Sequence, residues 1–393
     1  MRQSTDRILS THAGSLARPH SLLETMRAKE HGAAYDADAY AQQIREAVAD
    51  VVRRQVDAGL DVVSDGEQGR VSFVSYAEER LDGLERVPGK STMPSSWSRE
   101  VADFPDYYAG YFKKYSSAVS PLHVAVCTGP VRYTGKDLLA ADIANLQVAL
   151  EASPAEEAFM AATSPWVFAH NEHYASDEDL MVAVAEALRE EYLAIVDAGL
   201  LLQLDDPWLV EILSDESAEP AQRVRNAEAH VERVNHAVRD IPLDQIRFHT
   251  CYGLNHGPRV HDLPLSDVVD LMLRVNAGGY SFEVANPRHQ HEWRVWEDAK
   301  LPEGRVLIPG FVSHATNFVE HPVLIADGIE TYAKLVGREN VIAGVDCGFS
   351  SRASFAPEVD AQVVWAKFAA LAEGARIASE RLWSRSGSRT VAV

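Results

Sequence analysis

The sequence predicts an α/β fold, namely a TIM (β/α)8 barrel with inserted loops. A helix, an Ala-Gly turn and an apolar strand that ends on acidic residues recur at VDAGLDVVSDGE (56–67) and VDAGLLLQLDDP (196–207). A third copy lies at RVNAGGYSFEVAN (274–286) and a looser one at ENVIAGVDCG (339–348). Repeated helix–turn–strand units are typical of parallel sheets, and eight such strands over this length indicate a barrel.

The eight predicted strands are residues 8–14, 61–66, 122–129, 201–206, 247–252, 280–285, 305–312 and 340–347. Apolar residues at helical spacing precede the second and fourth of them, and Gly59 and Gly199 are natural helix stops. A doubly wound open sheet is the alternative fold, but no predicted strand is followed by a GxGxxG motif.

We expect one catalytic domain over residues 1–383 and a flexible tail at 384–393. Two segments do not fit a minimal barrel. Residues 88–108 are rich in Pro, Ser and aromatics and are interpreted as a long insertion, and residues 156–174 as a second insertion that holds a ninth strand or a lid.

Charge and cysteine content limit the function classes. The chain has 37 Lys and Arg against 58 Asp and Glu, for a net charge of −21, which argues against nucleic acid and anionic membranes as partners. The three cysteines are far apart and form no disulfide framework, as expected of a cytoplasmic protein. The first 15 residues have no apolar segment of a signal peptide, and no apolar run is long enough to span a bilayer.

Titratable and thiol side chains recur where predicted strands end, which is where barrels collect their chemistry. In order these are His12–Ser15, Asp65–Glu67, Cys127–Thr128, Asp205–Asp206, His249–Cys251, Glu283, His314 and Asp346–Cys347. His249 and Cys251 lie two apart and therefore share one strand face.

A zinc site is the sharpest hypothesis from this pattern, because zinc prefers thiolate, imidazole and carboxylate ligands. His249, Cys251, Cys347 and Glu283 are the candidate donors, and Cys127 is a rival for the third position. The competing interpretation is that the cysteines are small buried apolar residues and His249 a hydrogen-bonded core residue.

These residues carry a family resemblance. RFHTCYG, SFEV, IPGFVSH and VDCGFSSR, in this order and spacing, resemble the catalytic domain of cobalamin-independent methionine synthase, as do THAGSLARP, GLDVVSDGE, CTGPV and LQLDDP. The resemblance covers nearly the whole chain. It implies a TIM barrel with a zinc ion that binds and activates a thiol. The resemblance also extends to zinc-dependent epoxyalkane:coenzyme M transferases. It implies a single barrel in this chain, whereas the full-length plant and bacterial synthases have two.

The resemblance assigns roles by motif. It implies that His249, Cys251, Glu283 and Cys347 bind zinc, that Ser15, Glu67 and Asp205 hold the amino-acid thiol, and that His314 handles a proton. The alternatives are that Glu67 and Asp205 form salt bridges with Arg18, Arg70 or Arg352, and that His314 is an ordinary loop histidine.

The expected function is a zinc-dependent methyltransferase that acts on a homocysteine-like thiol. The alternatives are a zinc-dependent enzyme that joins a coenzyme M-like thiol to an epoxide, a metal-free lyase like uroporphyrinogen decarboxylase, and a non-catalytic zinc-binding barrel. The expected partners are a small thiol and a methyl or alkyl donor, with a homo-oligomer left open.

Overall fold

The computed structural model describes residues 1–73, 75–89, 95–115, 117–253 and 257–384. Its strands are β1 (Leu9–Ser10), β2 (Val62–Ser64), β3 (Leu81–Pro88), β4 (His123–Tyr133), β5 (Glu157–Thr163), β6 (Ala169–Asn171), β7 (Leu201–Asp206), β8 (Ile246–Thr250), β9 (Gly279–Glu283), β10 (Val306–Gly310) and β11 (Ile342–Ala343). Its helices are α1 (His20–Glu30), α2 (Ala37–Asp57), α3 (Ser75–Glu79), α4 (Ser95–Asp103), α5 (Pro105–Tyr115), α6 (Lys136–Ala152), α7 (Asp177–Asp197), α8 (Trp208–Ser214), α9 (Pro220–Ala237), α10 (Val269–Leu273), α11 (Val295–Asp298), α12 (Pro322–Val336) and α13 (Ala361–Ser384). In these ranges no helix is both long and apolar enough to cross a membrane.

The parallel strands close into a barrel. Six of them form one sheet in the order β2-β5-β7-β8-β9-β10, and β1 pairs with β11. A bridge from Thr11 to Val62 joins β1 to β2, and bridges from Leu307 to Val341 and from Gly310 to Gly344 join β10 to the β11 segment. The described residues therefore form an eight-stranded parallel ring, which confirms the predicted TIM barrel.

One predicted barrel strand is wrong. Residues 123–129 of the predicted strand 122–129 belong to β4, which pairs antiparallel with β3 and parallel with β6 in a separate sheet. The third barrel strand is β5, between β2 and β7. All but the first residue of β5 are buried, as expected for a parallel strand covered on both faces, whereas β4 alternates buried and exposed positions.

Residues 156–174 do hold a strand beyond the eight predicted ones, but this strand, β5, belongs to the barrel itself, and β6 follows it. The 88–108 segment contains α4 and the start of α5, and its residues 90–94 lie outside the described ranges. The predicted tail lies outside them from residue 385 onward.

The two helices that the spacing predicts begin and end as expected. The Asp36 side chain accepts the backbone N–H groups of Asp38 and Ala39 at the start of α2, and the Ser176 hydroxyl accepts that of Asp179 in α7. Each helix is followed by a glycine with positive φ, Gly59 or Gly199, where a side chain would be strained.

A buried ion pair anchors the loop after β10. The ammonium group of Lys367 on α13 is fully buried and lies 2.9 Å from both carboxylate oxygens of Glu320. The same carboxylate accepts the backbone N–H of Ser313 at 2.9 Å. Because Ser313 precedes His314, this pair holds the segment that carries the predicted proton-handling residue.

We expect Lys367→Ala to lower the free energy of unfolding by about 3 kcal/mol, because it leaves the Glu320 charge without its partner. Urea denaturation followed by circular dichroism measures the loss. The control is Arg376→Ala in the same helix, whose ion pairs with Glu373 and Glu380 are solvent-exposed and whose removal should change little. Equal effects of the two substitutions would contradict the anchoring role.

Candidate metal centre

Barrel closure brings one imidazole and two thiols to a single buried point. His249 and Cys251 project from the end of β8, and Cys347 follows β11. The ligand atoms of these three residues all lie within 4.8 Å of one another, and all three side chains are buried. The two Sγ atoms are 3.4 Å apart.

The donor atoms have the chemistry of a metal site. The Nδ1 atom of His249 pairs with the Ser281 hydroxyl at 3.0 Å, while its buried Nε2 atom has no hydrogen-bond partner. Hydrogen bonding from Cys347 lowers the pKa of Cys251 to about 5, whereas the pKa of Cys347 is raised well above its usual value. The pair thus holds a thiolate beside an imidazole nitrogen without a partner, which fits a soft divalent cation.

Glu283, the fourth predicted ligand, lies in a neighbouring group with His314 and Asp346. The guanidinium of Arg259 binds both of its carboxylate oxygens, at 2.7 and 3.3 Å. Burial would raise the pKa of Glu283, but the charge of Arg259 holds it down at about 2. The structure therefore brings together three of the four predicted ligands and places the fourth in a salt bridge.

Asp346 has a positioning role. Its carboxylate accepts the backbone N–H groups of Val284, Ala285 and Asn286 at 2.7 to 2.8 Å, which fixes the chain directly after Glu283. Gly310 makes room for it, since a Cβ there would lie 2.4 Å from the Asp346 backbone nitrogen. With its oxygens occupied in this way, Asp346 is a poor metal ligand.

Cys127 lies apart from this centre. It is on β4 in the separate sheet, and its Sγ atom lies 3.4 Å from the Gly129 carbonyl oxygen. It belongs to neither group of candidate metal ligands found among the described residues. It is therefore a natural control for the two cysteines of the barrel.

A pocket opens beside the three donors. Its lining residues are Ala13, Ser15, Glu67, Phe73, Asp205, His249, Cys251, Cys347, Gly348 and Ser351. It thus contains all three predicted substrate-binding residues together with the three donors. Glycines allow this close packing, since a Cβ at Gly14 would lie 2.9 Å from Glu67 Oε1 and one at Gly348 would lie 2.0 Å from Ser15 Oγ.

The pocket is acidic. Burial, reinforced by the charge of Asp205, raises the pKa of Glu67 to about 8. Burial also raises the pKa of Asp205 to about 6, although His249 and a hydrogen bond from Gln203 act in the opposite direction. The Oε2 atom of Glu67 is buried without a hydrogen-bond partner. No lysine or arginine is among the described residues that line the pocket, so its carboxylates are suited to a cationic ligand.

The nearby arginines serve the backbone instead. Arg18 donates to the carbonyl oxygens of Leu16, Glu67, Arg70 and Ser350, and so ties together the loops after β1, β2 and β11. Arg70 donates to the Ala161 carbonyl and stacks on Tyr76. Arg18 was an alternative partner for the two pocket carboxylates, and the structure uses it as a clamp that positions Ser15 and Glu67.

Comparison with known proteins identifies the family of the chain. The family model described as the catalytic domain of cobalamin-independent synthase matches residues 10–370. The chain belongs to this family. The match begins in β1 and ends in α13, so it includes every strand of the barrel and every candidate donor.

Individual members of the cobalamin-independent synthase family are distant in sequence. A methionine synthase from Saccharolobus islandicus is 23% identical over 385 residues, which is 95% of each chain. One from Sulfolobus acidocaldarius is 26% identical over 248 residues, which is 62% of this chain and 61% of that protein. A B12-independent methionine synthase from a Shewanella species, solved with selenomethionine, superposes with a TM-score of 0.70 at 21% identity and covers 96% of this chain and 99% of that one. At this identity the superposition supports the fold.

Cobalt(II) is a direct probe of the donor set, because thiolate ligands give cobalt a charge-transfer band in the near ultraviolet. We expect one bound cobalt per chain with this band in the parent protein and in Cys127→Ala. Cys251→Ala should lose the band, since it removes one donor of the centre. Equal spectra for the two variants would contradict the assignment of Cys251.

Proposed function

We propose that this chain is a zinc-dependent methyltransferase that activates a homocysteine-like amino-acid thiol and transfers a methyl group to it. One observation carries the proposal, which is that three metal donors and a buried acidic subsite line the same pocket. A ligand with a thiol at one end and an ammonium group at the other matches both features at once.

Zinc is the metal we propose, because two cysteines and a histidine are donors that it prefers. His249, Cys251 and Cys347 would hold it, with Glu283 as the fourth ligand. When bound there, zinc would supply a substrate sulfur that is a thiolate at neutral pH and therefore a nucleophile.

Side chains of the protein would bind the substrate and shield it from water. Glu67 and Asp205 would accept the substrate ammonium group, which would return both carboxyl groups to their charged forms. Ser15 would bind the polar end of the substrate with its hydroxyl, which lies 3.2 Å from that of Ser351. The buried wall of the pocket would exclude water from the nucleophile.

His314 is the proposed proton-handling residue. It is buried on the segment after β10 and lies in the group formed with Glu283 and Asp346. An imidazole changes charge near neutral pH, so it could protonate the group from which the methyl leaves. The Glu320–Lys367 pair would act through Ser313 to hold it in place.

The acidic subsite also separates the alternatives. A coenzyme M-like thiol carries a sulfonate, for which the described lining offers no lysine or arginine partner, whereas an ammonium group can pair with Glu67 and Asp205. A metal-free lyase gives no reason for two cysteines 3.4 Å apart beside a histidine without a partner on Nε2. A purely structural zinc site would need no pocket next to its donors.

The relatives also support methyl transfer, since the proteins from Sulfolobus acidocaldarius and Saccharolobus islandicus are methionine synthases. The methyl donor in this proposal is a folate, a corrinoid protein or a small methyl donor. We place the protein in the cytoplasm, as expected of a chain whose three described cysteines are all free thiols.

A thiol panel tests the proposed function. Zinc-loaded protein is supplied with a methylated folate or a methylcorrinoid, and with homocysteine, its analogue without the amino group, or coenzyme M. We expect methylation of homocysteine, and Glu67→Gln should raise its KM by at least about tenfold because a charged hydrogen bond is lost. The control is Glu172→Gln, which alters an exposed carboxylate.

Two results would contradict the proposal. One is a preference for coenzyme M over homocysteine. The other is an unchanged KM for homocysteine in Glu67→Gln, which would show that the acidic subsite does not bind the ammonium group.

A further inference from the structure

We propose that Arg259 is a positioning residue that competes with the metal for Glu283 and thereby limits how tightly the centre holds its metal. This rests on the proposed zinc site and deepens it. The starting point is the position of Glu283, which the sequence predicts as a ligand and which lies outside the group of three donors.

The ion pair between Arg259 and Glu283 involves both carboxylate oxygens. Nη1 donates to Oε2 at 2.7 Å and Nη2 to Oε1 at 3.3 Å, so the guanidinium engages both carboxylate oxygens. The amide of Asn286 adds a further hydrogen bond to Oε2 at 3.3 Å. Arg259 and Glu283 are both buried, and solvent therefore screens their attraction only weakly.

Arg259 is held in place from several sides. Its Nε atom lies 2.7 Å from Asp262 Oδ2 in an ion pair, and its carbonyl oxygen accepts the Nε–H of Arg288 at 3.0 Å. Its φ of 55° is unusual for a residue other than glycine. Such a conformation persists only where the surroundings enforce it.

The inserted helix α4 helps to hold the backbone at Arg259 in this conformation. Glu100 on α4 is buried and accepts the backbone N–H of Val260 at 2.6 Å. Asp103 on the same helix pairs with His261 at 2.6 Å. The insertion that the barrel itself does not need therefore fixes the two residues directly after Arg259.

Electrostatics indicates that Arg259 lowers the affinity of the centre for its metal. A guanidinium on both oxygens of Glu283 neutralises the carboxylate and repels an incoming dication. Glu283 would then be a weaker fourth ligand than His249, Cys251 and Cys347, and a substrate sulfur could reach the metal more easily. Removing the cation should make Glu283 a stronger ligand. If Arg259 only oriented Glu283 toward the metal, its loss would weaken binding instead.

The test measures zinc affinity by competition with a chromophoric chelator, starting from metal-free protein. We expect Arg259→Gln to bind zinc at least about tenfold more tightly than the parent, which is the scale on which residues around metal ligands act. Arg259→Lys keeps the positive charge but loses the guanidinium that contacts both oxygens of Glu283. Its zinc affinity should lie between those of the parent and Arg259→Gln. The control Arg274→Gln removes a solvent-exposed cation that pairs with Glu228, and should change little.

A double substitution shows whether the effect passes through Glu283. In a Glu283→Gln background, Arg259→Gln should no longer tighten zinc binding. Unchanged or weaker zinc affinity in folded Arg259→Gln would overturn the proposal. If that variant does not fold, Arg259→Lys decides, since an affinity equal to or below that of the parent overturns it and a tighter one supports it. A parent protein that binds no zinc would instead refute the proposed function.

Discussion

The structure depends on closure of the parallel ring between strands that are distant in sequence. Cys251 and Cys347 are separated by 96 positions, yet their sulfur atoms lie 3.4 Å apart because β8 and β11 belong to one barrel. Two buried thiols and an imidazole nitrogen without a partner are costly to hold together unless something binds them. Much of the surrounding chain can be understood as keeping these ends in place.

Several anchors meet at this end of the barrel. Arg18 ties the loops after β1, β2 and β11 through their carbonyl groups. Asp346 fixes the chain after β9, and Glu320 with Lys367 fixes the chain after β10. None of these contacts requires a bound ligand. The barrel therefore presents donors and carboxylates in fixed positions, so that less ordering remains when a substrate binds.

The acidic pocket and the metal centre are complementary. Buried carboxylates with raised pKa values are unfavourable until a cation reaches them, and thiolates are unfavourable until a metal does. An amino-acid thiol and a zinc ion would relieve both conditions in one pocket. This shared requirement links the fold to thiol alkylation more specifically than the barrel alone, which supports many chemistries.

Local sequence patterns predicted part of the fold and part of the candidate site. The spacing of His249 and Cys251 places both on one strand face, and the recurring Ala-Gly turns mark three βα units. The strand ends included Ser15, Glu67 and Asp205, to which the resemblance gave a substrate-binding role, and all three line the pocket. Strand β5 was assigned to an insertion because a continuous apolar run has no alternation that marks a barrel strand. The strand β4 was assigned to the barrel, although it belongs to another sheet.

Other features depend on contacts that no local pattern reveals. Arg259 lies 24 positions from Glu283, and Lys367 lies 47 positions from Glu320. Nothing near either residue in sequence marks its partner. A buried charge is visible only once the fold is known, so both pairs were outside the reach of sequence reasoning.

The most direct test of the account is X-ray absorption at the zinc edge of the loaded protein, with and without homocysteine. We expect zinc to have two sulfur ligands, from Cys251 and Cys347, and a third from homocysteine when it is added. A sulfur count that stays at two with homocysteine bound would contradict activation of the substrate at the metal.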